Sequence, residues 1–260
     1  MDKPSNYAGI IVNEEKDPGR EYARGVLEFL QNRGVNAEIA ATATEESLAS
    51  ASFWVVLGGD GTMLRAAPFA AVLDIPMLGI NLGTLGFLTD VDKSQGLDAL
   101  EKVLQNQYIC EKRLMLNAGE NLALNEVFVG GTGRLKTFSV YVNDQLIDKI
   151  RADGILVATP TGSTAYNLSA GGPILAPGGQ MMVITPICPH SLSARPWVLS
   201  ETDTVRIATH SESPIIVDGE KRGCISSSED VLISASAFRA SIIKTAPTHF
   251  YATLRKKKIL

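Results

Sequence analysis

Five apolar residues in a row, Phe53-Trp54-Val55-Val56-Leu57, run directly into Gly58-Gly59-Asp60-Gly61-Thr62, and a helical pattern follows from Thr62 to Leu73. A continuous apolar run suits a strand buried on both faces, the habit of parallel sheets covered by helices. Glycines at the strand exit permit positive φ and let another backbone, or a phosphate, come close. Successive amides in such a turn, with a helix N-terminus behind them, form an anion site. Pro68 inside the helical pattern predicts a bend or a split.

The sequence around this turn repeats the same alternation. Tyr7–Val12, Val35–Ala40 and Met77–Ile80 read as short strands, and Asp17-Pro18-Gly19 reads as a turn. Tyr22, Ala23, Val26, Leu27 and Leu30 fall at helical spacing with Gly34 as a stop, and Leu97, Leu100, Val103 and Leu104 fit another helix. From about Leu122 the rhythm changes to short strand-like runs separated by Gly, Pro, Asn and Asp: 138–142, 155–158, 181–184, 205–208, 215–217 and 231–234. The fold class expected is an α/β N-terminal domain over residues 1–121 and a mostly-β, sandwich-like C-terminal domain over 122–247.

Composition narrows the function. With 260 residues, 45% of them hydrophobic, the chain is long enough for two cores. Lys and Arg number 24 against 28 Asp and Glu, which removes the electrostatic reason to expect a nucleic-acid partner. No apolar run approaches the ~20 residues that span a bilayer. The start, Met1-Asp2-Lys3-Pro4-Ser5, shows no secretory signal, and three scattered cysteines (Cys110, Cys188, Cys224) form neither a disulfide framework nor a zinc ribbon. A cytoplasmic protein without a membrane partner is the expectation. The histidines (His190, His210, His249) lie far apart in sequence and no Cys-x-x-Cys occurs, so no protein-held metal cluster is expected.

The glycine turn is not a P-loop, because no Gly-Lys-Ser/Thr follows, and it lacks the Gly-x-Gly-x-x-Gly dinucleotide spacing. Its distinguishing feature is Asp60. A carboxylate beside phosphates is electrostatically costly, and makes sense if it contacts a hydroxyl or a metal; a kinase acting on a hydroxyl needs such a group. Further on, Asn125-Glu126 sets an amide beside an acid, able to serve an adenine edge and sugar hydroxyls. Arg151-Ala152-Asp153-Gly154 precedes a strand, and the segment Thr159 to Pro173 is dense in small hydroxyl residues and glycine around Tyr166, a surface that can wrap a flat polar ligand. The two glycines of Leu82 to Leu88 suggest a mobile or closely approached loop. Asp218, before Gly219, reads as a hairpin-turn residue, and the basic run 255–258 as a solvated terminus.

The turn at Gly58 resembles the signature shared by NAD kinases, diacylglycerol and sphingosine kinases, and phosphofructokinases. Together with Asn125-Glu126, Arg151-x-Asp153-Gly154, Thr159 to Pro173, Pro186 to Pro196 and Val217-Asp218-Gly219, the chain resembles the NAD kinase family over nearly its whole length. The resemblance implies phosphorylation of the 2′-hydroxyl of the adenosine ribose of NAD, with ATP and a divalent cation (Mg²⁺ carried by the ATP phosphates) and polyphosphate as a possible donor. It implies a nucleotide-binding first domain to which residues 248–260 return, an NAD-binding second domain, a site between the two, and a homo-oligomer, dimer or tetramer. By resemblance Asp60 orients the hydroxyl and accepts its proton. Gly58, Gly59, Gly61, Thr62 and Arg65 serve the phosphates. Asn125 and Glu126 hold the sugar and adenine end, Asp153 with Arg151 the nicotinamide amide, and Thr164, Ala165, Tyr166, Asn167, Leu168 and Ser169 the adenosine. Cys188 and Glu220 stand at NAD-contact positions where relatives carry Ala and Gln. Two rival readings are a lipid kinase of the diacylglycerol type and a non-catalytic NAD(P) sensor; an intact Asp60 argues against the sensor.

Overall fold

The computed structural model describes residues 7–84, 86–89, 91–131, 135–227, 229–247 and 250–259. The expected leaderless start, Leu85 of the glycine loop, His249, and residues 248 and 260 of the returning segment lie outside the described residues. Contacts divide the chain into two compact units, Met1–Lys112 with Ala240–Leu260, and Arg113–Arg239.

The first unit opens with β1 (Tyr7–Val12), α1 (Glu21–Gln31), β2 (Asn36–Ala40), β3 (Phe53–Gly58), α2 (Asp60–Val72), β4 (Met77–Asn81), β5 (Val91–Asp92) and α3 (Gly96–Leu104). Strands β2, β1, β3 and β4 lie side by side in that order, all parallel, and β5 adds to the end of β4. Every residue of β3 is buried, as its unbroken apolar run requires. Its Val55 and Leu57 share a core with Ile10 and Val12 of β1, Leu78 and Ile80 of β4, and the apolar stripes of α1 (Ala23, Val26, Leu30) and α3 (Ala99, Leu100, Val103). After β1 the chain leaves toward β2, then returns to the other side for β3. That reversal leaves a crevice at the carboxyl ends of β1 and β3, where open α/β sheets bind ligands.

Helix α2 is not split at Pro68: it runs from Asp60 to Val72. Proline removes one N–H bond, but a face of Met63, Ala66, Ala67, Ala70 and Ala71 is buried around it, and that packing holds the helix. The apolar small residues override the local break signal.

In the second half come β6 (Ile109–Ala118), β7 (Asn121–Ala123), β8 (Glu126–Gly130), β9 (Lys136–Val142), β10 (Gln145–Ala152), β11 (Gly154–Ala158), a short helix α4 (Tyr166–Ser169), β12 (Met181–Ile187), β13 (Trp197–Ser200), β14 (Thr204–Thr209), β15 (Ser213–Val217), β16 (Glu220–Ile225) and β17 (Asp230–Lys244), before α5 (Phe250–Lys256). The last residues of β17 belong to the first unit, where Ile242 pairs in parallel with Met77. One antiparallel sheet of the second unit has the order β13-β12-β11-β8-β15-β16; another joins β10, β9, β14 and the first part of β17. Val127, Val129, Ile155, Val157, Met182 and Ile184 of the first sheet share one core with Phe138, Val140, Val205, Ile207, Val231 and Ile233 of the second, the packing of a β-sandwich.

Strands β6, β8, β10, β13 and β16 lie outside the runs read as strands. β10 begins with five exposed residues at a sheet edge, so its sequence carries no alternation to find. The run read as 231–234 extends to 15 residues because Ala and Ser fill the rest of β17. No helix of the described residues is long and apolar enough to cross a membrane.

Candidate functional site

The glycine turn sits at the carboxyl end of β3, on the crevice defined above. Gly59 caps α2, and its carbonyl accepts from the amides of Thr62 (2.9 Å) and Met63 (3.2 Å). Gly58 must be glycine, since a Cβ there would overlap the Thr62 side chain. Asp60, in the first turn of α2, turns its carboxylate onto the loop after β4. Its Oδ2 accepts from the Phe87 amide (2.7 Å), and its Oδ1 from the amides of Leu88 (3.0 Å) and Thr89 (3.1 Å) and from Thr89 Oγ1 (3.1 Å). Gly86 lies so close that a Cβ would overlap Asp60 Oδ1, so at this glycine the reading of close approach holds, whereas Gly83 makes only ordinary contacts.

Two residues absent from the sequence expectations complete this arrangement. Asn81, the buried last residue of β4, donates to Thr89 Oγ1 (3.1 Å) and to the Thr84 carbonyl (2.6 Å), and accepts from the Gly83 amide (2.7 Å). Thr89, fully buried, links Asn81 to Asp60. A polar residue closing an otherwise apolar strand was the available signal. The Phe87 ring meets the Phe250 ring of α5 with centroids 6.0 Å apart, and Lys257 Nζ lies 5.2 Å over it. All four residues of the basic run 255–258 are exposed. Arg65 is exposed, with Nη1 near Gly61.

The second cluster lies in the second unit, on the outer face of the β8–β11–β12 sheet. Side chains alternate along a strand, so Val127 and Val129 enter the sandwich core while Glu126 and Phe128 face away. Leu156 stands beside Phe128 and Ala158 beside Glu126. The segment after β11 folds over this face. Thr159 ties it to β8 through Thr159 N to the Asn125 carbonyl (2.8 Å) and Oγ1 to the Leu124 carbonyl (2.6 Å). The Tyr166 ring meets Phe128 edge-on at 5.7 Å. Asn167 is fully buried: its amide nitrogen donates to the Ser163 and Pro173 carbonyls (both 3.0 Å), and its oxygen accepts from Thr185 Oγ1 (2.6 Å). Thr164, Ala165 and Leu168 are half-buried, and Tyr166 and Ser169 are exposed.

Asp218 occupies the β15–β16 hairpin turn with positive φ, as its sequence context suggests. Its carboxylate also accepts from the amides of Leu124 (2.8 Å), Asn125 (2.8 Å) and Glu126 (3.0 Å), and so fixes the start of β8. Burial, and secondarily the Asp218 charge, push the Glu126 carboxyl up to about 8. Glu126 Oε2 is buried without a hydrogen-bond partner. Such an atom awaits a hydrogen-bond partner. Burial raises the Tyr166 phenol pKa, and the negative charges of Cys188, Asp153 and Glu126 in their ionised forms raise it further.

The remaining expected residues are less closely gathered. Cys188 is exposed, with positive φ just past β12. Glu220 is exposed and pairs with Arg222 at 2.5 Å. Arg151 is exposed on β10, on the side opposite the buried Ala152, and no ion pair links it to Asp153 among the described residues. Its carbonyl accepts from the His190 amide (2.8 Å), so that histidine's backbone has a structural part. Among the described residues no group of three His, Cys, Asp or Glu could hold a metal ion.

Two stability outcomes follow from these environments. Gly86→Ala pushes the loop from Asp60, and urea unfolding should show a loss of about 1–3 kcal/mol. Glu126 has its folded pKa raised above the unfolded value, so the stability it contributes is present below about pH 4.5 and is lost as pH rises through about 8. Glu126→Gln should therefore melt roughly 2–5 °C above the parent at pH 9, with the gap closing by pH 5 in a thermal melt series.

Comparison with known proteins places this geometry in a family. The ATP-NAD kinase N-terminal domain matches residues 38–108, and the ATP-NAD kinase C-terminal domain matches 124–245. The NAD kinase of Lachnoclostridium phytofermentans is 38% identical over 280 residues, covering 95% of this chain and 97% of that protein. The NAD kinase of Methanothermobacter thermautotrophicus is 36% identical, covering 96% and 95%. The crystal structure of an NAD kinase from Archaeoglobus fulgidus in complex with ATP superposes with TM-score 0.83 at 25% identity over 98% of this chain and 99% of that one. Both halves of the chain, with the glycine turn in one and the Glu126 face in the other, therefore belong to the NAD kinase family.

Proposed function

We propose that this chain phosphorylates the 2′-hydroxyl of the adenosine ribose of NAD with ATP, giving NADP, and that Asp60 is its catalytic residue. The single observation that carries the role of Asp60 is its hydrogen bonding. Oδ1 is saturated by three donors, whereas Oδ2 accepts one. Oδ2 therefore keeps a lone pair for the ribose hydroxyl. As the bond from the 2′-oxygen to the γ-phosphorus forms and the bond from phosphorus to ADP breaks, the hydroxyl proton passes to Oδ2. In a loose transition state that proton leaves late, so the fixed position of the carboxylate matters more than its basicity.

The backbone at Gly58, Gly59 and Gly61, with Thr62 and Arg65, faces the phosphates at the positive end of α2. A divalent cation, Mg²⁺ by this reading, rides on the triphosphate and offsets its charge. On the second unit, the unpartnered Glu126 Oε2 hydrogen-bonds a sugar hydroxyl, with Asn125 beside it. Tyr166 offers its exposed ring to the adenine, and Thr164, Ala165, Leu168 and Ser169 line the adenosine. Asn167, spent internally, fixes that segment rather than touching the ligand. Asp153 accepts from the nicotinamide amide, with Arg151 and Cys188 at the margin. Arg222 neutralises Glu220, so the acid in place of the common glutamine need not repel a dinucleotide. A homo-oligomer in the cytoplasm completes the reading, and light scattering on the purified chain checks the assembly.

The test is formation of NADP from NAD, ATP and Mg²⁺, read by an NADP-specific dehydrogenase. The parent should turn over, and Asp60→Asn should lose about 10³-fold or more in kcat while still binding NAD. Full activity in a folded Asp60→Asn protein would sink the role given to Asp60. No turnover in a parent that binds NAD would favour a sensor.

A further inference from the structure

We infer that Lys16 is the donor-phosphate cation of this site, a lysine brought to the glycine turn from the end of β1. The inference rests on the phosphoryl-transfer reading above and adds a residue to it. The turn lacks the Gly-Lys pair by which a P-loop carries its own cation. Arg65 gives the phosphates a fixed charge from the α2 side, and a second one from the β1 side would hold the transferring phosphoryl group between two cations. Lys16 stands where that charge is needed. Its Nζ lies 2.7 Å from the point a Cβ on Gly59 would occupy, and 3.5 Å from the same point on Gly83. It thus spans the glycine turn after β3 and the loop after β4. Both positions are glycine, so no side chain comes between the ammonium and an approaching anion.

The lysine is presented by a pinned turn. Asn13, just past β1, donates its amide to the Leu57 carbonyl (2.8 Å), and its side-chain nitrogen reaches Thr62 Oγ1 (3.4 Å). The Asn13 carbonyl accepts from the amides of Lys16 (3.0 Å) and Asp17 (3.1 Å). The Asp17 carboxylate is engaged at the start of α1, accepting from the amides of Tyr22 (3.3 Å) and Ala23 (3.0 Å). Glu14 is paired with Arg20. Lys16 itself is exposed, and no ion pair of the described residues includes it. A solvated surface lysine would extend toward bulk water. This one lies back over two glycines at the crevice between β1 and β3, the place where this sheet topology takes its ligand.

The experiment uses the full chain and two readouts. Inorganic tripolyphosphate, with Mg²⁺, is titrated calorimetrically into the parent and into Lys16→Met, Lys16→Gln and Lys16→Arg. NADP formation is then measured over ATP and NAD concentrations. Lys16→Met and Lys16→Gln should bind tripolyphosphate about tenfold or more weakly and lose about 10²-fold in kcat/KM for ATP, with KM for NAD within about twofold of the parent. Lys16→Arg should recover most of the binding, because it restores the charge. Tripolyphosphate affinity and KM for ATP within about twofold of the parent in folded Lys16→Met or Lys16→Gln would overturn the inference. The binding arm stands even if the parent makes no NADP, so failure of the lysine's role and failure of the functional reading are separable.

Discussion

The Asp60 carboxylate holds three consecutive backbone amides, Phe87 to Thr89, and the hydroxyl of Thr89. Hydrogen bonds from amides to a carboxylate are stronger than neutral ones, and here they also fix direction. They orient the acid, set the path of the loop after β4, and require glycine at position 86. Asn81 and Thr89 support the same carboxylate from behind. The acid is thereby positioned before any substrate arrives, which is the form of catalysis phosphoryl transfer rewards.

A parallel device governs the second unit. Asp218 also spends its carboxylate on three backbone amides, Leu124 to Glu126, and so sets the start of β8. The neighbouring Glu126 is left buried with an oxygen unpartnered, and burial beside Asp218 raises its pKa. In this pair Asp218 is structural and Glu126 is open to a ligand, whereas Asp60 carries both tasks by itself. Leaving a buried acceptor unpartnered costs stability, and a dinucleotide hydroxyl would recover that cost on binding.

Much of this was legible in the sequence, and the reason differs by element. Tyr7–Val12 and Phe53–Gly58 announce themselves because strands buried on both faces need unbroken apolar runs. The glycine turn is legible because only glycine tolerates such close approach. The residues that support it were not. Asn81, Thr89, Asn13 and Lys16 lie 21 to 47 positions from Asp60 in sequence, and only the parallel pairing of β1, β3 and β4 brings them to it. Asp218 is legible in the sequence as a hairpin residue, which it is, but its bonds to β8 depend on strand pairing across about 90 positions. β10 escaped because an exposed edge strand needs no apolar pattern, and α2 is not split at Pro68 because local propensity yields to packing.

The account stands on the bond between Asp60 and its loop, and hydrogen exchange measures that bond directly. In the parent, the amides of Phe87, Leu88 and Thr89 should exchange slowly, although they lie in a loop and outside any helix or strand ladder. In Asp60→Asn, which removes the charge but keeps the shape, those three amides should lose protection by about tenfold or more, while amides of β3 and β4 stay as they were. Equal protection of the three amides in both proteins would contradict the claim that this carboxylate organises the site.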